Sequence, residues 1–222
     1  MNITPIATFH SPFKEKFGIP RQSGLVEKLT GRITFLPEFQ NPDGLRGLEE
    51  FDYIWLIWEF SANKHTATSP TVRPPRLGGN TRIGVYATRS PYRHNPLGLS
   101  AVKLQKIELD TPQGPVIHVT GADLMDGTPI YDIKPYIAYA DAHPEARSGF
   151  VDNNRWQALE VEIPSEVAQQ FSPQQLEALK QSLALDPRPH YHNDHTKVYG
   201  MRFDSHDIHF IVDGNILKVI EQ

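Results

Sequence analysis

The stretch from Thr71 to Ser100 concentrates the positive charge of this chain. It holds five of the twelve arginines and no aspartate, glutamate or lysine, although the net charge of the whole chain is -4. A guanidinium group is planar, permanently charged and able to donate paired hydrogen bonds to a carboxylate or a phosphate. Prolines and glycines between the arginines indicate loops around one short strand, Arg82 to Ala87. We expect an anion-binding surface; the alternative is an exposed basic loop without a ligand.

Two further loops offer groups that could bind a ligand. Pro20-Arg21-Gln22 is a turn fixed by proline that presents a guanidinium and an amide. Asp123 and Asp126 bracket a second turn, in which Asp126-Gly127 is predicted to adopt a positive φ angle or to allow close backbone approach. Carboxylates beside free backbone amides suit a ligand that carries amino and hydroxyl groups. The alternative for both loops is an ordinary surface turn.

Several familiar chemistries are excluded or disfavoured by the residue types. The chain has no cysteine, which excludes disulfides, thiolate metal sites and cysteine catalysis. No two glycines stand in a G-x-G pattern, so the phosphate-binding turn of a Rossmann fold is absent, and no P-loop is present. Five of the ten histidines lie between His190 and His209, but without H-E-x-x-H or a similar ligand spacing. We therefore predict no metal site and treat a metal-binding histidine cluster as the alternative.

The elements that must position these loops are mostly strands in the first 140 residues. Asp52 to Phe60 is aromatic or apolar at nearly every position, which predicts a central strand covered on both faces or a strand that closes a barrel. Leu45 to Phe51 predicts one helical turn before it. A hairpin and two earlier strands complete this region. Their predicted ranges are Leu99 to Leu109 with Val116 to Thr120, then Ile3 to Phe9 and Arg32 to Phe35.

The pattern changes beyond a polar, aperiodic segment, so we place a domain boundary around residues 145 to 158. Ser172 is a predicted helix N-cap, with Pro173 at the first helical position and Gln175 completing a capping box. The helix is predicted to run to about Leu185. Short strands surround it. We therefore predict a mainly β chain that ends in a small α+β domain. The strand predictions are Leu159 to Ile163, Val198 to Phe203, Ile208 to Val212 and Ile216 to Ile220.

The composition is ordinary for a globular protein of 222 residues, with 39% hydrophobic and 22% charged residues. No run of eighteen apolar residues occurs, so we predict no membrane span. The first residues lack a basic start followed by a long apolar core, so no secretory signal is predicted and a cytoplasmic location is the default.

Long segments of the chain resemble the TrmO (TsaA-like) family of tRNA adenosine N6-methyltransferases. The sequence departs from that family's pattern at Ser61-Ala62, where close relatives have His-Gln, and at His94, where proline is usual. The matching segments are FKEKFGIPRQ, LRGLEEFDYIWLIW, TVRPPRLGGNTRIGVYATRSPYRHNPLGLS, GADLMDGTPIYDIKPYIAYAD, LDPRP and VYGMRF.

The resemblance implies a fold, a reaction and partners. It implies a β-barrel domain that binds S-adenosylmethionine over residues 1–148 and a small α+β C-terminal domain over residues 149–222. The implied reaction transfers the methyl group of S-adenosylmethionine to N6 of N6-threonylcarbamoyladenosine, next to the anticodon of a threonine tRNA. The implied assembly is a homodimer. A non-catalytic RNA-binding barrel is the alternative function.

Individual residues receive expected roles within this reaction. Because the attacking nitrogen must lose a proton, we nominate Asp126 as the base and Asn95 as a positioning amide. Arginines of the basic stretch are expected to bind tRNA phosphates or the carboxylate of the threonyl group: Arg73, Arg76, Arg82 and Arg93. The residues expected to bind the methyl donor are Pro20, Arg21, Gln22, Ser61, Ala62, Arg89, Leu99, Asp123, Leu124, Met125, Asp126, Gly127 and Thr128.

Overall fold

Six antiparallel strands close a barrel in this computed structural model, which describes residues 2–63, 69–153, 157–189 and 195–221. The barrel order is β1-β2-β7-β6-β3-β8, and β8 pairs with β1 to close it. A two-stranded sheet, β4 with β5, lies in the long connection between β3 and β6. The strands of this region are β1 (Ala7–His10), β2 (Thr30–Phe35), β3 (Tyr53–Glu59), β4 (Thr71–Val72), β5 (Ile83–Gly84), β6 (Leu97–Glu108), β7 (Val116–Thr120) and β8 (Thr128–Pro135).

The barrel interior is filled by side chains from alternate strand positions. On β3, Ile54, Leu56 and Trp58 are buried, whereas their neighbours along the strand are more exposed. The predicted core strand is therefore confirmed as a barrel wall. The Trp58 ring lies against Gly98 so closely that a Cβ there would stand 2.3 Å from the indole, so this position requires glycine.

Three of the five connections between barrel strands, including the two longest, leave from one end. Because neighbouring strands are antiparallel, the ends of β1, β3 and β7 and the starts of β2, β6 and β8 lie at the same rim. Residues 11–29, 60–96 and 121–127 form the three connections at this rim. The opposite rim carries residues 36–52 and the predicted β6–β7 hairpin turn, which is confirmed.

The C-terminal part is a small α+β unit, as predicted. Four strands lie in the order β10-β11-β12-β9, with β9 parallel to β12. The long helix begins with the predicted capping box: the Ser172 hydroxyl accepts from the Gln175 amide, and the Gln175 side chain accepts from the Ser172 amide. The elements here are α1 (Ala138–Asp141), β9 (Glu160–Glu162), α2 (Ser165–Ala168), α3 (Pro173–Ala184), β10 (Tyr199–Phe203), β11 (His206–Asp213) and β12 (Ile216–Ile220).

The connection between β1 and β2 packs against the C-terminal unit. Phe13, Val26 and Leu29 are buried in the same apolar cluster as the α3 and β10–β12 side chains, and the Phe13 and Phe203 rings meet edge to face at 5.4 Å. The guanidinium of Arg21 donates to the backbone carbonyl of Asp186 at 3.1 Å. The division between residues 148 and 149 stays a prediction, and this shared core joins both sides of it.

The strand predicted from Arg82 to Ala87 is wrong. Only Ile83–Gly84 pairs, with the two residues of β4, and residues 85–87 form a 3₁₀ turn that buries Val85. The partner is too short to support a longer ladder.

Near residues 45–51 the predicted helical turn is present as two 3₁₀ turns, Pro42–Leu45 and Leu48–Glu50. Within the described ranges, no helix has the length and apolar character needed to cross a membrane.

Candidate functional site

The structure brings the separate sequence segments of the predicted site together at one rim of the barrel. The Arg89 guanidinium donates to the side-chain carbonyl of Gln22, which joins the basic stretch to the β1–β2 connection. Lys16 Nζ donates to Asn63 Oδ1 at 2.6 Å, so the end of β3 also meets that connection. The amide of Phe60 donates to the carbonyl of Pro96 at 2.8 Å. Residues distant in sequence are therefore neighbours at this rim.

Asp123 is held by a chain of hydrogen bonds that starts inside the barrel. Trp58 Nε1 donates to the Ser100 hydroxyl at 3.0 Å, and that hydroxyl donates to Asp123 Oδ1 at 2.6 Å. Ser100 is only 1% exposed. Sequence reasoning missed Trp58 and Ser100 as site residues. The available signal was a serine at an inward position of β6, between Gly98 and Val102, because a buried hydroxyl needs a partner.

Burial raises the pKa of Asp123 above the ordinary carboxyl value. The hydrogen bond from Ser100, backbone hydrogen bonds and the positive charge of Arg89 act in the opposite direction and moderate the rise. This carboxyl group is therefore poorly solvated but has a positive group nearby. Such a group gains strongly from a ligand that donates hydrogen bonds to it.

Asp126 lies in the same loop but in an ionic environment. The Ser11 amide donates to its Oδ1 at 3.0 Å, and Lys14 Nζ donates to its Oδ2 at 2.7 Å. His10 Nδ1 is 3.6 Å from Oδ1. Although partial burial acts to raise the pKa of Asp126, the bonds from Lys14 and the Ser11 amide outweigh it and lower that pKa. Asp126 is therefore ionised at neutral pH.

The backbone of this loop is fixed from both sides. The amides of Asp126 and Gly127 donate to the carbonyls of Phe13 and Phe9, each at 2.8 Å. Gly127 has a φ of 77°, which confirms the predicted positive angle. The Thr128 hydroxyl donates to the Met125 carbonyl at 2.7 Å. Leu124 is 1% exposed and packs in the barrel core, so a ligand at the rim can meet only its backbone.

The other residues predicted to bind the donor, and the predicted positioning amide Asn95, belong to the connections of this rim or to the first residues of β6. Pro20 is buried, whereas Arg21 and Gln22 are half-buried. Leu99 points outward from β6 and is 57% exposed. Ser61 and Asn95 are exposed and Ala62 is half-buried, beside the start of β6.

The predicted nucleic-acid-binding arginines differ in what they contact. Arg73 and Arg82 are exposed, and Arg82 donates to the Thr71 hydroxyl at 3.0 Å. Arg93 is half-buried and donates to the carbonyl of Thr88 at 3.2 Å, so it holds its own loop. Arg76 belongs to the 3₁₀ turn Pro75–Leu77, and its side chain lies outside the described part of the chain.

The histidine-rich segment is only partly described. His190, His192 and Asp194 lie outside the described residues. His195 Nδ1 is 3.5 Å from Asp213 Oδ1. Among the described residues, no group of three or more potential metal ligands is assembled.

Comparisons with known proteins agree over almost the whole chain. The tRNA-methyltransferase O N-terminal domain matches residues 8–142, and the TrmO C-terminal domain matches residues 156–221. The tRNA (adenine(37)-N6)-methyltransferase of Escherichia coli K12 is 38% identical over 192 residues, which are 84% of this chain and 81% of that protein. A protein of Pseudomonas aeruginosa described as the putative S-adenosylmethionine-dependent methyltransferase RcsF is 38% identical over 216 residues, 94% of this chain and 91% of its own.

Solved structures show the same architecture. The crystal structure of TrmO from Pseudomonas aeruginosa superimposes with a TM-score of 0.79 at 31% sequence identity. The superposition covers 100% of this chain and 98% of that one.

Proposed function

This chain belongs to the TrmO family of S-adenosylmethionine-dependent tRNA adenine-N6 methyltransferases, and we propose that its substrate is N6-threonylcarbamoyladenosine at position 37 of a threonine tRNA. The observation that carries the proposal is the match of both TrmO domains, over residues 8–142 and 156–221. The names of the relatives specify N6 of adenine 37 as the methylated atom. The threonylcarbamoyl group and the threonine tRNA are the finer part of the proposal. A tRNA substrate also favours a cytoplasmic location.

The rim residues fit the chemistry of the methyl donor. When bound, S-adenosylmethionine supplies a methyl group on a positively charged sulfur. Arg89 is suited to its carboxylate, because a guanidinium pairs with carboxylates in a fixed geometry. Asp123 is suited to its ribose hydroxyls or ammonium group, since its carboxylate is ionisable and poorly solvated. The fixed backbone around Leu124 offers amide and carbonyl groups to the adenine.

Pre-organisation is the main contribution that these residues make to the reaction. Asp123 cannot rotate freely, because Ser100 and Trp58 hold it from the barrel core. Holding two reactants in line supplies several kcal/mol of barrier reduction in well-oriented systems, on the order of 7 to 11 kcal/mol at best. The proposed donor loop is therefore a rigid support for orientation.

The nitrogen that receives the methyl group needs help from the protein. Its lone pair is delocalised into the carbamoyl carbonyl, so it must lose a proton as it reacts. Asp126 is ionised and can accept a proton, although the hydrogen bond from Lys14 lowers its basicity. We assign Asn95, exposed beside the start of β6, the role of positioning the carbamoyl group. The same proposal gives the binding of tRNA phosphates, or of the carboxylate of the threonyl group, to Arg73, Arg76, Arg82 and Arg93.

A second copy of the chain is the proposed occupant of an apolar patch beside this rim. Leu97 and Leu99 are exposed on the outer wall of β6, and Leu99 is the cross-strand neighbour of Ile57. Tyr86 and Tyr92 of the basic stretch are also exposed. A contiguous patch of exposed apolar groups is a candidate association surface. Sedimentation at micromolar concentration should show a dimer, and a single 25.2 kDa species would refute that assembly.

Labelled methyl transfer tests the proposed substrate. Two tRNA pools are compared, one from cells that make the threonylcarbamoyl modification and one from cells that lack it. We expect incorporation only into the modified pool. Equal incorporation into both pools would contradict the role of the threonylcarbamoyl group. Incorporation into neither pool would favour a barrel that binds RNA without chemistry.

A further inference from the structure

Four basic side chains form one transverse row on the outer wall of the barrel. Strand pairing places His10 opposite Arg32, Arg32 opposite His118, and His118 opposite Lys106. Their strand neighbours Phe9, Ile33 and Ile117 are buried, so the row faces away from the core. With neighbouring strands about 4.8 Å apart, the row is about 14 Å long.

Two lysines extend this basic row. Lys103 is exposed in the adjacent row, opposite Thr120. Lys14 lies beside His10, and both contact Asp126. Since Asp126 belongs to the loop of the proposed donor site, the basic row begins at the reactive rim and runs from it across β1, β2, β7 and β6.

The permanent positive charges of the row, Arg32 and Lys106, are not fully neutralised, whereas burial lowers the pKa of His10 and favours its neutral form. Glu108 accepts from Lys106 at 2.7 Å and is 2.6 Å from His118 Nε2, so it is shared between two basic residues. Arg32 is exposed and has no ion-pair partner among the described residues. An exposed arginine without an ion-pair partner keeps its charge available to a polyanion.

We propose that this basic row binds successive backbone phosphates of the tRNA next to the nucleotide being methylated. The inference rests on the proposed function, because it assumes that the methylated nucleotide sits at the rim where the row begins. Phosphate contacts of this kind fix register and orientation without reading sequence. Glu108 lies beside the row, two residues beyond Lys106 on β6, as an acid that weakens binding, so removing its charge should strengthen the complex.

Binding of tRNA by the full chain tests the row with substitutions that act in opposite directions. Arg32→Glu should weaken binding about 10-fold and reduce the slope of log affinity against log salt by about one. Lys103→Glu should act in the same direction, which keeps the test valid when Arg32→Glu folds poorly. Glu108→Gln should strengthen binding by about threefold. Lys180→Glu, on the exposed face of α3, is the matched control and should change nothing.

The substitutions are expected to change tRNA affinity in opposite directions, which distinguishes a role of the row in tRNA binding from a purely structural role. A structural role for the ion pairs of Glu108, with Lys106 on the same strand and with His118 on the neighbouring strand, predicts that Glu108→Gln weakens binding, and that result would overturn the proposal. Unchanged affinity and salt slope in both Arg32→Glu and Lys103→Glu would overturn it as well. If either of these results is obtained while the wild type still transfers methyl groups, only the proposed role of the basic row is refuted. Absence of transfer by the wild type to modified tRNA refutes the proposed function itself.

Discussion

Two carboxylates of one loop, Asp123 and Asp126, lie in opposite environments. Asp123 is bonded to a hydroxyl that reaches the barrel core through Trp58, and burial raises its pKa. Asp126 is bonded to Lys14 and the Ser11 amide, and these bonds lower its pKa despite partial burial. The pKa values of the two carboxyl groups therefore shift in opposite directions because of their surroundings alone. We expect Asp123 to serve donor binding and Asp126 to serve the acceptor side.

The largest expected difference is in donor affinity. Asp123→Asn removes a charged acceptor from a poorly solvated place, so S-adenosylmethionine should bind about 10- to 100-fold more weakly. Asp126→Asn should weaken donor binding less than about threefold, because the Asp126 carboxylate is already bonded to Lys14 and the Ser11 amide. Isothermal titration calorimetry measures both. Equal losses in the two variants would remove the distinction between the two carboxylates.

Removing the hydrogen bond that Ser100 donates to Asp123 should have the next largest effect on donor affinity. Ser100→Ala leaves Trp58 Nε1 without its partner and releases Asp123, so donor affinity should fall about 10-fold and stability by about 1 to 3 kcal/mol. Ser182→Ala is the matched control, because Ser182 is also buried but donates within α3 to the Ala178 carbonyl. The control should lose stability without losing donor affinity. Loss of donor affinity in both would indicate a general effect of unfolding.

Acid should distinguish the two carboxylates by the sign of their effect on stability. The lowered pKa of Asp126 stabilises the fold above the ordinary carboxyl pKa, about 3.9, and that stability is lost as pH falls through the lowered value. The raised pKa of Asp123 means that its ionisation costs stability as pH rises from about 3.9 through the raised value.

These contributions are tested by measuring the free energy of unfolding of each variant with urea between pH 3 and pH 7. Asp126→Asn should be less stable than wild type at neutral pH and approach it in acid. Asp123→Asn should gain relative to wild type as pH rises from about 4. Parallel stability profiles for the two variants would show that the carboxylates share one environment.

The smallest effect is expected from Lys14→Met. The Lys14–Asp126 pair is largely exposed, with 51% of the lysine side chain accessible, so its loss should change stability by less than about 1 kcal/mol. Added salt should reduce that difference further. A loss well above this in thermal unfolding would show that Asp126 depends on Lys14 as strongly as Asp123 depends on Ser100.

Local features of the fold were predictable from the sequence. The capping box of Ser172 and Gln175 and the strand from Val116 to Thr120 depend on neighbours in the chain, and both are present as predicted. The strand from Arg82 to Ala87 was wrong because a ladder also needs a partner, and Thr71–Val72 supplies only two residues. The strand propensity of a segment does not indicate how long its partner strand is.

The candidate site was predictable only in part, for the same reason. The sequence resemblance selected the segments at the rim, and the barrel brings them together. It did not reveal that Ser100 and Trp58 hold Asp123, since those contacts join β3, β6 and a loop across the core. Phe13 in the apolar cluster of the C-terminal unit was equally hidden, because glycines and prolines interrupt any period in its loop.

Identification of the methylated nucleoside tests the central claim most directly. Threonine tRNA carrying the threonylcarbamoyl group is incubated with the wild-type protein and S-adenosylmethionine, then digested and analysed by mass spectrometry. We predict one added methyl group, on N6 of threonylcarbamoyladenosine from position 37. A methyl group on another nucleoside, or on unmodified adenosine at that position, would contradict the proposed function.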